Sequence, residues 1–210
     1  MRYFLSVIVL SSLLVAAGLA ACSPVGMLTG AGAAAGVASA REGGISGTLT
    51  DARIEADISD KWFKYDLETF SKLNITVRRG RVLLTGIVQD QQDRLEAVRL
   101  AWQADGVEEV INEINVDKEG KISDYVNDKW IASRLRTAFT LDRDIQSLNY
   151  SIEVVRGIVY ILGLAYSQTE LNKVISTART IPNVRQVVSY IRLSDDEVVE
   201  TREKAMDATE

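Results

Sequence analysis

The sequence contains no histidine and a single cysteine, Cys22. The first absence removes imidazole as a general base, the Ser–His and Cys–His pairs, and the commonest zinc sites. The second means that no disulfide can form within one chain, so the lone thiol needs another explanation. Cationic charge is also short: 24 Lys and Arg face 29 Asp and Glu, the formal net charge is −5, and no long basic run exists. Nucleic acid is therefore not an expected partner. Carboxylates such as Asp57, Asp60, Asp66, Asp142 and Asp144 have no spacing that compels an acid–base pair or a metal site, so they read as solvated surface. The chain is expected not to be an enzyme, to need no cofactor and to take no small-molecule substrate. What it does have is length and apolar content. Its 210 residues, 47% of them hydrophobic, allow one or two domains with real cores.

The surroundings of Cys22 supply its explanation. Met1-Arg2 is a short positive start, Tyr3 to Leu19 is apolar apart from Ser6, Ser11, Ser12 and Gly18, and Ala20-Ala21 places small residues before the thiol. A charged start, an apolar stretch and a small-residue exit describe a secretory signal peptide over 1–21. The other reading is a membrane-spanning helix with an incidental cysteine, since the apolar run approaches spanning length. Leu19-Ala20-Ala21-Cys22 resembles the lipobox of bacterial lipoproteins, in which the thiol is acylated and becomes the first residue after cleavage. A single myristoyl chain binds only marginally at ~0.8 kcal/mol per buried CH₂, whereas the several acyl chains this resemblance implies, palmitate among them, would hold permanently. Ser23 follows the cysteine rather than Asp. By the same resemblance this implies a lipid-anchored protein of the outer membrane that faces the periplasm. Residues 22–47 are rich in Gly and Ala and read as a flexible tether, which at ~25 residues reaches at most ~80–90 Å. Close helix packing through Gly26, Gly30 and Gly36 is the alternative for that stretch.

Beyond the tether the chain repeats itself without a gap at an offset of 77 positions. Asp51 meets Asp128, Ile54 meets Ile131 and Ile58 meets Leu135. Ile75 and Val77 meet Ile152 and Val154, Arg79-Gly80 meets Arg156-Gly157, and Gly86 meets Gly163. Val107, Val110 and Ile114 meet Val184, Val187 and Ile191. Apolar positions and turn glycines coincide over about sixty-five residues, which marks two copies of one unit.

Each copy reads the same way. Asp51 or Asp128 is placed to cap a helix whose core stripe is Ile54, Ile58 and Trp62, or Ile131, Leu135 and Phe139. A hairpin follows, Asn74–Val77 with Val82–Val88 and Ser151–Val155 with Val159–Leu164, with glycine at each turn. A second helix is expected to carry Leu95, Val98 and Trp102 on one face, or Val174, Ile175 and Ala178. Strands Val110–Val116 and Val187–Leu193 close the units. The fold class is α+β, each unit α-β-β-α-β with a three-stranded sheet covered by two helices.

The motifs Asp51-Ala52-Arg53-Ile54, Leu83-Leu84-Thr85-Gly86 and Gly106-Val107 resemble those of the BON domain. Asp128-Lys129-Trp130-Ile131, Tyr160-Ile161-Leu162-Gly163 and Asn183-Val184 repeat them. A lipobox followed by two such units is similar to the dual-BON-domain outer-membrane lipoproteins. On this reading domain 1 spans 48–117, a polar linker 118–122, domain 2 123–195, and 196–210 is an acidic disordered tail. The resemblance implies phospholipid binding and support of outer-membrane integrity without catalysis. It also implies that the first helix of the second domain meets anionic lipid around an outward Trp, at the place Trp130 occupies. Much of the remaining helix surface differs in residue identity from that family, so the lipid preference does not carry over in detail.

The residues can be read without the family. On a 100° wheel with Leu135 facing the core, Trp130, Thr137 and Leu141 fall on the opposite side, with Lys129 and Arg136 on one flank and Arg134 on the other. An apolar face bordered by cations suits an anionic membrane surface. Packing of Trp130 against the first domain or the linker is the competing reading, and contact with a protein partner a third. In copy one the matching positions are Arg53, Asp57, Asp60 and Lys64, a charged face of mixed sign. The basic turn Arg78-Arg79-Gly80-Arg81 suits either a phosphate or an ordinary hairpin tip. The expected partner is thus an anionic phospholipid membrane. The alternative function is a module that recruits an envelope assembly or cell-wall protein.

Overall fold

The computed structural model describes residues 44–117 and 125–194. Cys22, the signal segment, the linker and the acidic tail lie outside the described residues. Domain 1 runs α1 (Gly44–Phe70), β1 (Leu73–Arg78), β2 (Arg81–Val88), α2 (Gln91–Ala101) and β3 (Glu109–Val116). Domain 2 repeats it with α3 (Tyr125–Leu141), β4 (Tyr150–Val155), β5 (Ile158–Ala165), α4 (Gln168–Thr180) and β6 (Gln186–Leu193). Each sheet has its hairpin antiparallel and its last strand parallel to the middle one, because a helix carries the chain across between them.

The first-helix stripes are the cores that the spacing predicts. Ile54, Ile58 and Trp62 pack with Val82, Leu84, Ala97 and Ala101, and Ile131, Leu135 and Phe139 with Val159, Ile161, Val174 and Ala178. Trp62 Nε1 donates to the Ala97 carbonyl at 3.1 Å, so the buried indole leaves no unpaired donor. That indole also explains a correction. Trp62 fills the space beneath α2, so the helix turns small residues inward. Ala97, Leu100 and Ala101 are buried and Val98 is half-buried, while Leu95 and Trp102, which the spacing places on one face with Val98, are each 52% exposed.

Asp51 and Asp128 do not cap helices, since α1 and α3 begin at least three residues before them. Each instead clamps the hairpin turn of its own domain. Asp51 accepts from the backbone N–H of Arg79 and Gly80 at 3.0 and 3.1 Å, and Asp128 from those of Arg156 and Gly157 at 2.7 and 2.8 Å. Both turn residues have positive φ, 51° and 71° in one domain and 53° and 75° in the other. This is the two-residue geometry that matches strand twist. The carboxylate satisfies two amides that the turn would otherwise leave without a partner.

The far faces of the two sheets pack on each other. Leu83, Ile111, Val155, Tyr160 and Leu162 form a third apolar cluster, alternating along β2 and β5 with the residues that face the helices. Thr76 donates to Glu153 at 3.3 Å and the Tyr190 hydroxyl donates to Glu113, both across 77 residues. That separation is the repeat offset, so each bond joins a residue to its own counterpart, as happens along a two-fold axis. The layers therefore run helices, sheet, sheet, helices. Arg81 locks the rim, pairing with Glu109 at 2.6 Å and donating to the Tyr190 carbonyl at 2.9 Å.

Removing the clamp should be costly. Asp128→Ala strands two turn amides at a site only 8% exposed. It is expected to destabilise the protein by about 2–3 kcal/mol, read as a lower urea midpoint with an unchanged slope.

Candidate functional site

The outward side of α3 carries Val126, Trp130, Arg134, Thr137 and Leu141, spaced by three or four residues and hence in one stripe. Val126 is 78% exposed, Trp130 39% and Leu141 77%. The Arg134 guanidinium lies 5.3 Å from the centre of the Trp130 ring, a cation–π contact that covers part of the indole. The Thr137 hydroxyl donates to the Ser133 carbonyl at 3.0 Å, so it is satisfied within the helix. Trp130 is not sealed against the first domain.

Lys129 and Arg136 sit apart from this stripe, about 100–120° around the helix from Trp130. The Lys129 ammonium lies 5.2 Å from the centre of the exposed Tyr125 ring. Arg136 donates to the Ile152 carbonyl at 3.0 Å. β4 is an edge strand, and its outward carbonyls have no ladder partner, which is what draws the guanidinium there. Both cations line a groove between the two domains rather than flanking the indole. Glu153 stands in the same groove, and burial raises its carboxyl above the ordinary range against the opposing pull of Thr76, Arg136 and Lys129.

Val126 extends the apolar stripe by a turn beyond the sequence expectation, and Tyr125 extends the row of Lys129 in the same way. Counting the helix from Asp128 as its cap excluded them. Val126 at four residues before Trp130 was the available signal.

The matching face of α1 is charged, as expected. Lys61 pairs with Asp57 at 2.9 Å and Lys64 with Asp60 at 2.6 Å, and the Lys61 hydrogen bond holds the Asp57 carboxyl below its ordinary range. The first copy is nevertheless not polar throughout, because Leu95 and Trp102 stand together on the outer side of α2. Arg99, between them, is paired with Glu96. The basic turn is largely structural: Arg81 is committed to the sheet interface, and Arg78 Nε donates to Ser151 at 2.8 Å. Among the described residues no group of three or more His, Cys, Asp or Glu is placed to hold a metal ion. Among them, too, no helix is long and apolar enough to cross a membrane.

Two α-β-β-α-β units, each with a clamped hairpin and a parallel closing strand, define a tandem α+β repeat. The BON-domain family model matches residues 50–118 and 127–195, and the chain belongs to that family. It is 42% identical over 146 residues to the "uncharacterized protein in gshII 5'region" of Anaplasma centrale, covering 69% of this chain and 95% of that one. It is 25% identical to osmotically-inducible protein Y of Escherichia coli strain K12 over 69% of this chain and 73% of that one. It is also 26% identical to outer membrane lipoprotein DolP of Haemophilus influenzae over 59% of this chain and 64% of that one.

The tryptophans should separate by role. Trp62→Ala is expected to cost about 3–5 kcal/mol and Trp130→Ala no more than about 1 kcal/mol in chemical denaturation. Equal losses would place Trp130 in the packing.

Proposed function

We propose that this chain is a lipid-anchored, periplasm-facing adaptor of the outer membrane, held through Cys22. Its second BON domain contacts anionic phospholipid and supports envelope integrity. The observation that carries the reading is the stripe Val126, Trp130, Leu141 on the outer side of α3, with the Arg134 guanidinium against the indole. An indole seeks the membrane interface, and a neighbouring cation gains about 1 kcal/mol near anionic headgroups. The similarity to a protein named as an outer membrane lipoprotein supports the location. The lipobox ending at Cys22 supports the anchor. Lys129 and Arg136 add positive charge beside the stripe without touching it.

A second reading rests on the exposed Leu95 and Trp102 of α2, which suit a protein surface in an envelope assembly or cell-wall machine. Crosslinking from those positions that captures one protein, with no vesicle binding, would favour it.

The test uses the chain from Ser23 onward, which keeps both domains entire. It is expected to sediment with vesicles containing phosphatidylglycerol, less so as salt rises. Trp130→Glu should reduce binding roughly tenfold or more, and Arg53→Glu should change it little. Undiminished binding by Trp130→Glu removes the assignment of this stripe.

A further inference from the structure

The two-fold relation between the domains creates two equivalent grooves at the seam of the sheets. Each is walled by the start of one domain's first helix and by the strand ends of the other domain. One has a volume of about 490 Å³ and the other about 290 Å³. Because they descend from the same positions, their differences can be read residue against residue. In the larger groove the helix contributes Tyr125, Lys129, Ala132 and Arg136, and the facing domain contributes Lys72. The matching residues are Thr48, Ala52, Glu55, Ser59 and Asn149. The three cations Lys72, Lys129 and Arg136 thus correspond to the uncharged Asn149, Ala52 and Ser59, and Ala132 to the carboxylate Glu55.

The smaller groove has four arginines of its own, of which three are committed to the fold. Arg81 and Arg192 share Glu109 at 2.6 and 2.9 Å, and Arg78 holds Ser151. In the larger groove Arg156 is likewise paired with Asp117, and Asp128 is occupied by the turn. Lys72 and Lys129 make no ion pair among the described residues, and Arg136 donates to the Ile152 carbonyl with Glu153 near enough to act on it. These three come from both domains and converge on a cavity floored by Ile152 and Ala132. Tyr125, exposed and adjacent in sequence to Val126, lines it as well, so the groove borders the outer stripe of α3.

We propose that this interdomain groove binds the phosphodiester headgroup of an anionic phospholipid, with Lys72, Lys129 and Arg136 meeting the phosphate. The inference rests on the membrane contact proposed above and adds a site for one lipid molecule. The three cations suit a phosphate, and a volume of about 490 Å³ leaves room for the glycerol that a headgroup carries and a bare ion does not. Continuity with the Trp130 stripe favours a lipid source over a soluble one. Asp117 is taken up by Arg156 and Asp128 by the turn amides, which leaves Glu153 as the groove carboxylate that faces Lys129 and Arg136 and opposes the phosphate.

The test titrates the chain from Ser23 onward with glycerophosphoglycerol, the headgroup without its acyl chains, and follows methyl NMR signals. Shifts at Ile152, Ile87 and Val154 are expected, with little change at Val77 and Leu164 of the other groove. Lys72→Gln with Lys129→Gln should weaken the affinity roughly tenfold or more, Glu153→Gln should tighten it severalfold, and Lys64→Gln should leave it unchanged. Absence of shifts in the groove overturns the proposal whatever the variants do. An equal affinity for inorganic phosphate overturns the headgroup assignment. If glycerophosphoglycerol moves the groove methyls but phosphatidylglycerol vesicles do not sediment the protein, the membrane-contact reading fails and the groove assignment stands.

Discussion

The buried layer between the two sheets is the constraint on which everything else depends. Leu83 and Leu162 are completely excluded from water there, with Tyr160, Ile111 and Val155 nearly so. A three-stranded sheet with helices on one side leaves an apolar face that must be covered, and each domain covers that of the other. Recognition is thereby confined to two kinds of surface, the outer sides of the helices and the seams at the sheet edges. Both candidate sites of this molecule lie on them.

Duplication kept the skeleton and released the surface. The aspartate clamp, the two-residue turn with both φ angles positive, and the middle-strand glycine occur in both halves. A Cβ at Gly86 or Gly163 would meet a backbone carbonyl at 2.5 or 2.4 Å, so that position admits no side chain in either copy. Gly106 and Asn183 hold a further matched positive φ with the two residue types that tolerate it best. None of these touches the outer stripes, where the copies share almost nothing. Fold and surface have been subject to separate demands.

The repeat offset, the turn glycines and the first-helix stripes could be read in the sequence because each is a local periodicity or a local backbone requirement. The aspartates could not, since a residue that reaches a turn 28 positions away looks the same in sequence as one that caps its own helix. The inner face of α2 was hidden for a similar reason. Leu95, Val98 and Trp102 form the more apolar stripe, but the volume of Trp62 decides that alanines turn inward. The pairing of the sheets had a signal that went unused. Val82-Leu83-Leu84 and Val159-Tyr160-Ile161-Leu162 are unbroken apolar runs, the mark of strands buried on both sides. For the α3 stripe the wheel placed Trp130, Thr137 and Leu141 together. It could not show that Lys129 and Arg136 turn into a groove, because the far wall of that groove belongs to the other domain.

The order helices, sheet, sheet, helices has a geometric corollary. Trp102 and Leu95 stand on the outermost side of one domain, and Trp130 and Leu141 on the outermost side of the other. The exposed tryptophans of the two domains thus belong to separate helix layers, with both sheets between those layers.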